Sequence, residues 1–371
     1  MLPSPRLLFT SPRLLFSDIM REITTEPSVV EGEVPHKSER VANFFRVIPH
    51  LEKYLAGAYL VFLDSFLFHL ITLPLRAVYS VLCLKPRRGD CLRVLIMLVV
   101  GGVLYWAADA SRLYHMIRGQ SALKLYVIFN LIDVADKLLG SFGLDVLDAY
   151  QEGGGHDDVL HPVLHFMVAI LYTLLHATVL LYQMLTLNVA VNSFSHALLT
   201  LLVSNQFVEI KSAVFKKFDP DTLMQLAGGD GVERVQLTLY ILMIALRDWT
   251  EGSIAWGRLL PPLLSIYASE LVVDWLKHAF ITKFNNLSPR LYSQYYASMQ
   301  EELKKGGDVS NRLAKRAGFC ALPLCCVVLK TLFSCRPFYT ALMLLSCFLL
   351  KALTCHAVNH ANHITTTKKT L

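Results

Sequence analysis

The chain has 371 residues, is 54% hydrophobic and only 17% charged, and carries a formal net charge of +6. Soluble domains carry about 25% charged residues, so this composition excludes an ordinary soluble enzyme and leaves little chain for a large extramembrane catalytic domain. In a membrane protein the charge matters through its distribution among loops more than through its sum.

Residues 1–53 are polar, with Glu and Pro and no early apolar core, and are read as a cytosolic N-terminal segment without a signal peptide. They contain a short repeat, SPRLLF at Ser4–Phe9 and Ser11–Phe16, read as a local duplication that is disordered or lies on the membrane surface. Further on, SERVANFFRVIPHLEKYL suggests a helix broken at Pro49, which lacks an N–H.

Residues 55–83 are apolar but carry Asp64, His69, Pro74 and Arg76. A straight span would bury Asp64 or Arg76 in lipid at a real cost. Both flanks are also basic: Arg40, Arg46 and Lys53 precede, and Lys85, Arg87, Arg88 and Arg93 follow. One crossing between two positive flanks violates the positive-inside rule, so a hairpin or in-plane pair is expected.

Residues 94–108 contain no Lys, Arg, Asp or Glu, and a crossing over 94–110 follows. Residues 111–159 are mixed, and within them apolar residues recur at helical spacing with Asp133, Asp136, Lys137, Asp145 and Asp148 interspersed, predicting an amphipathic helix pair around Gly140–Gly143 on or beside the membrane. Residues 163–191 are again free of formal charge. As a helix they would extend about 43 Å, against roughly 30 Å of hydrocarbon, and a crossing over 160–187 is expected. Residues 188–218 read as a partly embedded helix leading into the basic stretch EIKSAVFKKF, and 219–233 as a loop. Residues 235–246 and 259–280 predict a hairpin. Residues 281–316 hold seven basic against three acidic residues and are placed in the cytosol. A last hairpin, 317–333 and 338–358, turns near Arg336 and Pro337. The predicted fold is thus an all-α polytopic membrane helical bundle with in-plane or re-entrant amphipathic helices. Its membrane domain covers 54–358 with six clear crossings and up to eight, followed by a short cytosolic tail, 359–371; both termini are cytosolic.

Glu270, Asp274 and His278 stand at i, i+4 and i+8, with Lys277 beside them, and share one helical face. In a spanning helix that face must meet protein or water, as an interhelical ion-pair network or a polar path, with Asp64 and Arg76 as candidate partners. His356, His360 and His363, and the pair His161 and His165, have helical spacing but no further ligand pattern. Most of the eight cysteines lie in or beside apolar segments and read as small buried hydrophobes. There is no HExxH, Walker A, GxGxxG, GxSxG or CxxC pattern, so no catalytic, cofactor-binding or metal-binding residue is assigned, and nothing suggests nucleic-acid binding. Lys368 and Lys369, fourth and third from the end of the sequence, match a dilysine retrieval signal. Such a signal is read from the cytosol by coat-protein machinery and implies the endoplasmic reticulum membrane.

The strings LPLR (Leu73–Arg76), FNLIDVADKLLGSFGLDVLD (Phe129–Asp148), LNVAVNSFSHALLTLLVSNQFVEIKSAVFKKF (Leu187–Phe218) and ELVVDWLKHAFITKFN (Glu270–Asn285) resemble the transmembrane anterior posterior transformation protein family, also called the cytomegalovirus gH-receptor family. The resemblance implies a multi-pass protein of the endoplasmic reticulum that protects newly made proteins, with a SUN-like lumenal partner and, in animals, links to cilium formation and skeletal patterning. It carries no catalytic residues. The expected function is therefore a non-enzymatic scaffold in folding, quality control or trafficking of client proteins; the alternative is an ion or small-solute transporter or channel using intramembrane acidic residues. The expected partner interface comprises Asn205, Gln206, Phe207, Glu209, Lys211, Phe215, Lys216 and Lys217, then Glu270, Asp274, Trp275, Lys277 and His278.

Overall fold

The computed structural model describes residues 34–83, 87–152, 160–192, 197–250, 252, 256–305, 309–335 and 337–367, and among them every regular element is helical. Helix α1 (Val34–Leu67) runs through a π-turn (Phe68–Thr72) into α2 (Leu73–Leu82), and α3 (Arg88–Ala107) and α4 (Ala110–Arg118) follow. Next come α5 (Ala122–Glu152), α6 (Leu160–Asn192), α7 (Ala197–Val214), α8 (Pro220–Thr250) and α9 (Trp256–Phe284). The chain continues through α10 (Arg290–Leu303), α11 (Val309–Arg316), α12 (Ala321–Ser334) and α13 (Pro337–Thr367).

Five segments among the described residues are long and apolar enough to cross a membrane: Val41–Leu82, Arg88–Ala107, Val163–Asn192, Leu259–Phe284 and Pro337–Thr354. The pair α11 and α12, bent by 102°, makes a sixth if counted as one span. The bend follows from Gly318, which sits at φ +84°, where a side chain is strained. There Gly318 N–H donates to the Lys315 carbonyl (2.8 Å) and Phe319 N–H to the Ala314 carbonyl (2.9 Å), the two bonds of a Schellman helix end.

Several sequence expectations are corrected. Residues 55–83 form no hairpin; they continue α1 through the π-turn as one helical span. Asp64 is neutralised by Lys351 of α13 at 2.6 Å, and Arg76 pairs with Asp90 at 3.2 Å, so the cost that argued against a single span is offset by internal partners. The π-turn just before Pro74 loosens the backbone where the ring would otherwise clash. Pro49 lies inside α1 and does not end it. Residues 219–233 are not a loop, because Asp219 caps α8 through Thr222 N–H (3.3 Å) and Pro220 occupies the first helical position. As part of α8, residues 235–246 do not qualify as a span by length and composition.

The pair expected around Gly140–Gly143 is one continuous helix, α5. Its glycines serve packing: a Cβ on Gly143 would lie 1.7 Å from the Tyr172 hydroxyl oxygen. The bare backbone therefore lets α6 press its tyrosine against α5.

Helix α12 sits at the centre. Leu324, Cys325, Cys326 and Val327 are fully buried against Leu180, Leu181 and Leu185 of α6 and Ile96 and Val100 of α3. Seven cysteines, those at 83, 91, 320, 325, 326, 335 and 347, are free thiols. A second cluster joins Val47, Leu51 and Leu55 of α1 to Leu223 and Ala227 of α8, Ile281 of α9 and Tyr292 of α10. The polar site lies where the two clusters meet along α8 and α9.

Candidate functional site

The spacing of Glu270, Asp274, Lys277 and His278 does place them on one face of α9, and that face is turned inward. Glu270 is 8% exposed and the other three 0%. They meet a second polar stripe on α8, Asp230, Glu233 and Arg234.

Asp230 is the hub. Lys277 Nζ lies 2.7 Å from its Oδ1, and His278 Nε2 2.6 Å from its Oδ2. The other ring nitrogen, His278 Nδ1, shares a hydrogen bond with the Tyr292 hydroxyl at 2.8 Å. Lys277 also lies 3.3 Å from Asp274 and 3.6 Å from Glu209 of α7. Asp274 accepts from Arg234 Nε at 2.9 Å, and Arg234 makes a two-pronged contact with Glu52 of α1 at 2.9 and 3.2 Å. Trp275 Nε1–H donates to the same Glu52 at 2.5 Å. Buried charges are stable only when paired and hydrogen-bonded, and this chain of contacts ties α1, α7, α8, α9 and α10 together.

A second cation continues the pattern. Lys137 of α5 lies 3.1 Å from Glu233, 3.5 Å from Asp133 and 3.9 Å from Glu209. Glu233, followed by Asp133 and Glu209, outweighs burial and holds the Lys137 ammonium well above the usual lysine range. Oxygens of Glu209, Asp230 and Glu233 lie within 4.8 Å of one another, and the two lysines sit among them. Between α5, α6, α7, α8 and α9 opens a cavity of about 500 Å³, lined by Asp133, Lys137, Glu209 and Glu233 and by Asn205, Gln206 and Gln236. On its α6 side His176 Nε2 donates to Asp136 at 2.7 Å, and His176 Nδ1 meets the Tyr172 hydroxyl at 2.8 Å.

The expected interface residues therefore divide. Asp274, Lys277 and His278 are corrected from partner-facing to internal, because they are 0% exposed and paired with Asp230, Arg234, Glu209 and Tyr292. Trp275 is half-buried against Glu52. Asn205, Gln206, Glu209 and Glu270 line the cavity, where Gln206 donates to Glu270. Phe207 (47% exposed) and Phe215 (78%) face outward with Lys211, Lys216 and Lys217. Asp64 and Arg76 belong to other ion pairs, with Lys351 and Asp90. Sequence reasoning missed Asp230, Glu233, Arg234, Glu52 and Tyr292; the Asp219-Pro220 helix start would have put the first three on a helical face. The side chains of His161, His356, His360 and His363, and all of Lys368 and Lys369, lie outside the described residues.

The model of the eukaryotic membrane protein family matches residues 84–367. The transmembrane anterior posterior transformation protein 1 homolog of Homo sapiens is 36% identical over 356 residues, covering 87% of this chain and 61% of that protein. The homolog of the same name from Xenopus laevis is 36% identical over 338 residues, 82% of this chain and 61% of that protein. Endoplasmic reticulum membrane protein 65 of Saccharomyces cerevisiae is 33% identical over 350 residues, 82% of this chain and 62% of that protein. The chain thus spans about three-fifths of the length of these relatives. No solved structure matches it. With five segments among the described residues fit to cross a bilayer and a family match over most of its length, this chain belongs to the eukaryotic membrane protein family that includes the transmembrane anterior posterior transformation proteins.

Proposed function

We propose that the protein is a non-enzymatic factor of the endoplasmic reticulum membrane that binds a partner membrane protein and supports folding, quality control or trafficking of clients. The yeast relatives carry the endoplasmic reticulum membrane in their names. The observation that carries the binding reading is the outer face of α7. Phe207, Val208 and Lys211 of α7 are exposed, as is Phe215 just past its end beside Phe284, while Gln206 and Glu209 on the opposite side hold α9 and α5. A helix pinned from behind, with Phe207 exposed on its free face and Phe215 at its end, offers the aromatic side chains that are enriched at interfaces. By family resemblance the partner carries a SUN-like lumenal domain, and the role extends in animals to cilium formation and patterning.

The test is affinity purification from gentle detergent through an N-terminal tag, comparing wild type with Phe207→Ala/Phe215→Ala. A stoichiometric membrane partner that is lost in the variant supports the proposal. The same partner retained at full occupancy removes α7 as its interface, and a preparation with no partner removes the scaffold reading. The cavity favours a second reading, an ion or small-solute transporter. Solute flux in liposomes that Glu270→Gln abolishes while partner binding survives would select it.

A further inference from the structure

We infer that the cavity among α5, α6, α7, α8 and α9 is a binding site for an organic ammonium ion, with Glu270 as the carboxylate that pairs with it. The inference stands apart from the scaffold reading, since it concerns the interior and not the α7 outer face.

Three observations carry it. The first is a charge imbalance at the cavity wall. Asp133, Asp136, Glu209, Glu233 and Glu270 face Lys137 and Arg316, and Arg316 is already engaged by Glu302 at 2.7 Å. His176 answers Asp136, Lys137 is shared among Asp133, Glu209 and Glu233, and Glu209 also meets Lys277 from behind the wall at 3.6 Å. Glu270 is left with the Gln206 amide and, among the described residues, no ion-pair partner, although it is only 8% exposed. A carboxylate buried with an amide but no cation is costly unless a proton or a cation joins it.

The second observation is Lys137 itself. Its ammonium, on a side chain that is 49% exposed, enters from α5 and is held by three carboxylates at 3.1 to 3.9 Å. The chain thus already places one alkylammonium in this space, and the dimensions of the site suit that group. The third observation is the apolar and aromatic part of the remaining wall, Phe129, Leu187, Val203, Tyr240 and Ile266, interleaved with the amides of Gln183, Asn205, Gln225 and Gln236. A volume of about 500 Å³ lies within the roughly 300–1,000 Å³ of small-molecule sites. Aromatic faces attract organic cations. A calcium ion would need about six to eight oxygens, and at Glu270 the described polar neighbours are the Gln206 amide and the Ser269 hydroxyl bonded to it. The ligand class is therefore a primary ammonium on a compact apolar body, supplied either by a free amine or by a lipid headgroup.

The test uses the whole protein in detergent, with labelled phenethylammonium as probe and 2-phenylethanol as its neutral counterpart. Saturable binding is expected, at least tenfold weaker in Glu270→Gln, with 2-phenylethanol failing to compete. Lys137→Met, which removes the internal ammonium, should tighten binding at least threefold, and this readout stands even if Glu270→Gln does not fold. In nanodiscs, competition by phosphatidylethanolamine against a phosphatidylcholine background assigns the ammonium to a headgroup; insensitivity assigns it to a free amine; both support the site. The inference is overturned by absence of saturable binding, by equal affinity in Glu270→Gln, by equal competition from the neutral alcohol, or by unchanged or weaker binding in Lys137→Met.

Discussion

Substituting alanine for Gly143 tests the packing that sets α5 against α6. The new Cβ would stand 1.7 Å from the Tyr172 hydroxyl oxygen and 2.1 Å from its Cζ, so the ring must leave its present position. Tyr172 then loses its contacts with the Leu139 carbonyl at 3.0 Å and with His176 Nδ1 at 2.8 Å. Two such hydrogen bonds are worth about 2 kcal/mol together. Overpacking adds about 1–3 kcal/mol, while replacing glycine by alanine within a helix returns about 1 kcal/mol. The expected net loss is about 2–4 kcal/mol. It is measured by SDS-titration unfolding of the detergent-purified protein, followed by helical ellipticity. Repeating Gly143→Ala in a Tyr172→Ala background separates the causes. With the ring gone the substitution should be neutral or stabilising by up to about 1 kcal/mol. An equal loss in both backgrounds, or a stable single variant, would refute the assignment of the strain to Tyr172.

Other outcomes follow from the ion pairs and the bend. Lys277→Met leaves Asp230, Asp274 and Glu209 without their shared ammonium and should cost about 3–5 kcal/mol, as for a broken buried pair; a loss below about 1 kcal/mol in the same unfolding assay argues against a buried network. Asp64→Leu strands Lys351 and should destabilise strongly. The double variant Asp64→Leu/Lys351→Met should recover most of that loss, and additive losses would show that the 2.6 Å pair is not coupled. Gly318→Val forces a β-branched residue to φ +84°, at a cost of about 1–2 kcal/mol, visible as a lower melting temperature. An unchanged melt would show that the α11–α12 bend does not depend on that backbone conformation.

The sequence was most legible where apolarity alone decides. The uncharged runs at 94–108 and 163–191 fall in α3 and α6, because few other placements suit such segments, and Pro337 opens α13. It was least legible where a charge is answered from far along the chain. Asp64 argued for a hairpin only because Lys351, 287 residues away, could not be foreseen as its partner. Gly140 and Gly143 looked like a helix break for a related reason: glycine weakens a helix locally, and only the Tyr172 ring shows that its role here is to make room.

The candidate site shows the same boundary from the other side. Periodicity correctly put Glu270, Asp274, Lys277 and His278 on one face, since helical spacing is a local property. It could not say what faces them. A polar stripe in a membrane helix needs protein or water opposite it, and that requirement is met equally by a second chain or by α8 of the same chain. Asp230 and Arg234 settle the matter in favour of α8, because they hold Lys277, His278 and Asp274 at 2.6–2.9 Å. What this internal pairing does not satisfy is Glu270, at the cavity end of the stripe. The polar residues of α9 therefore do two jobs: three close the bundle, and the fourth faces a space large enough for something else.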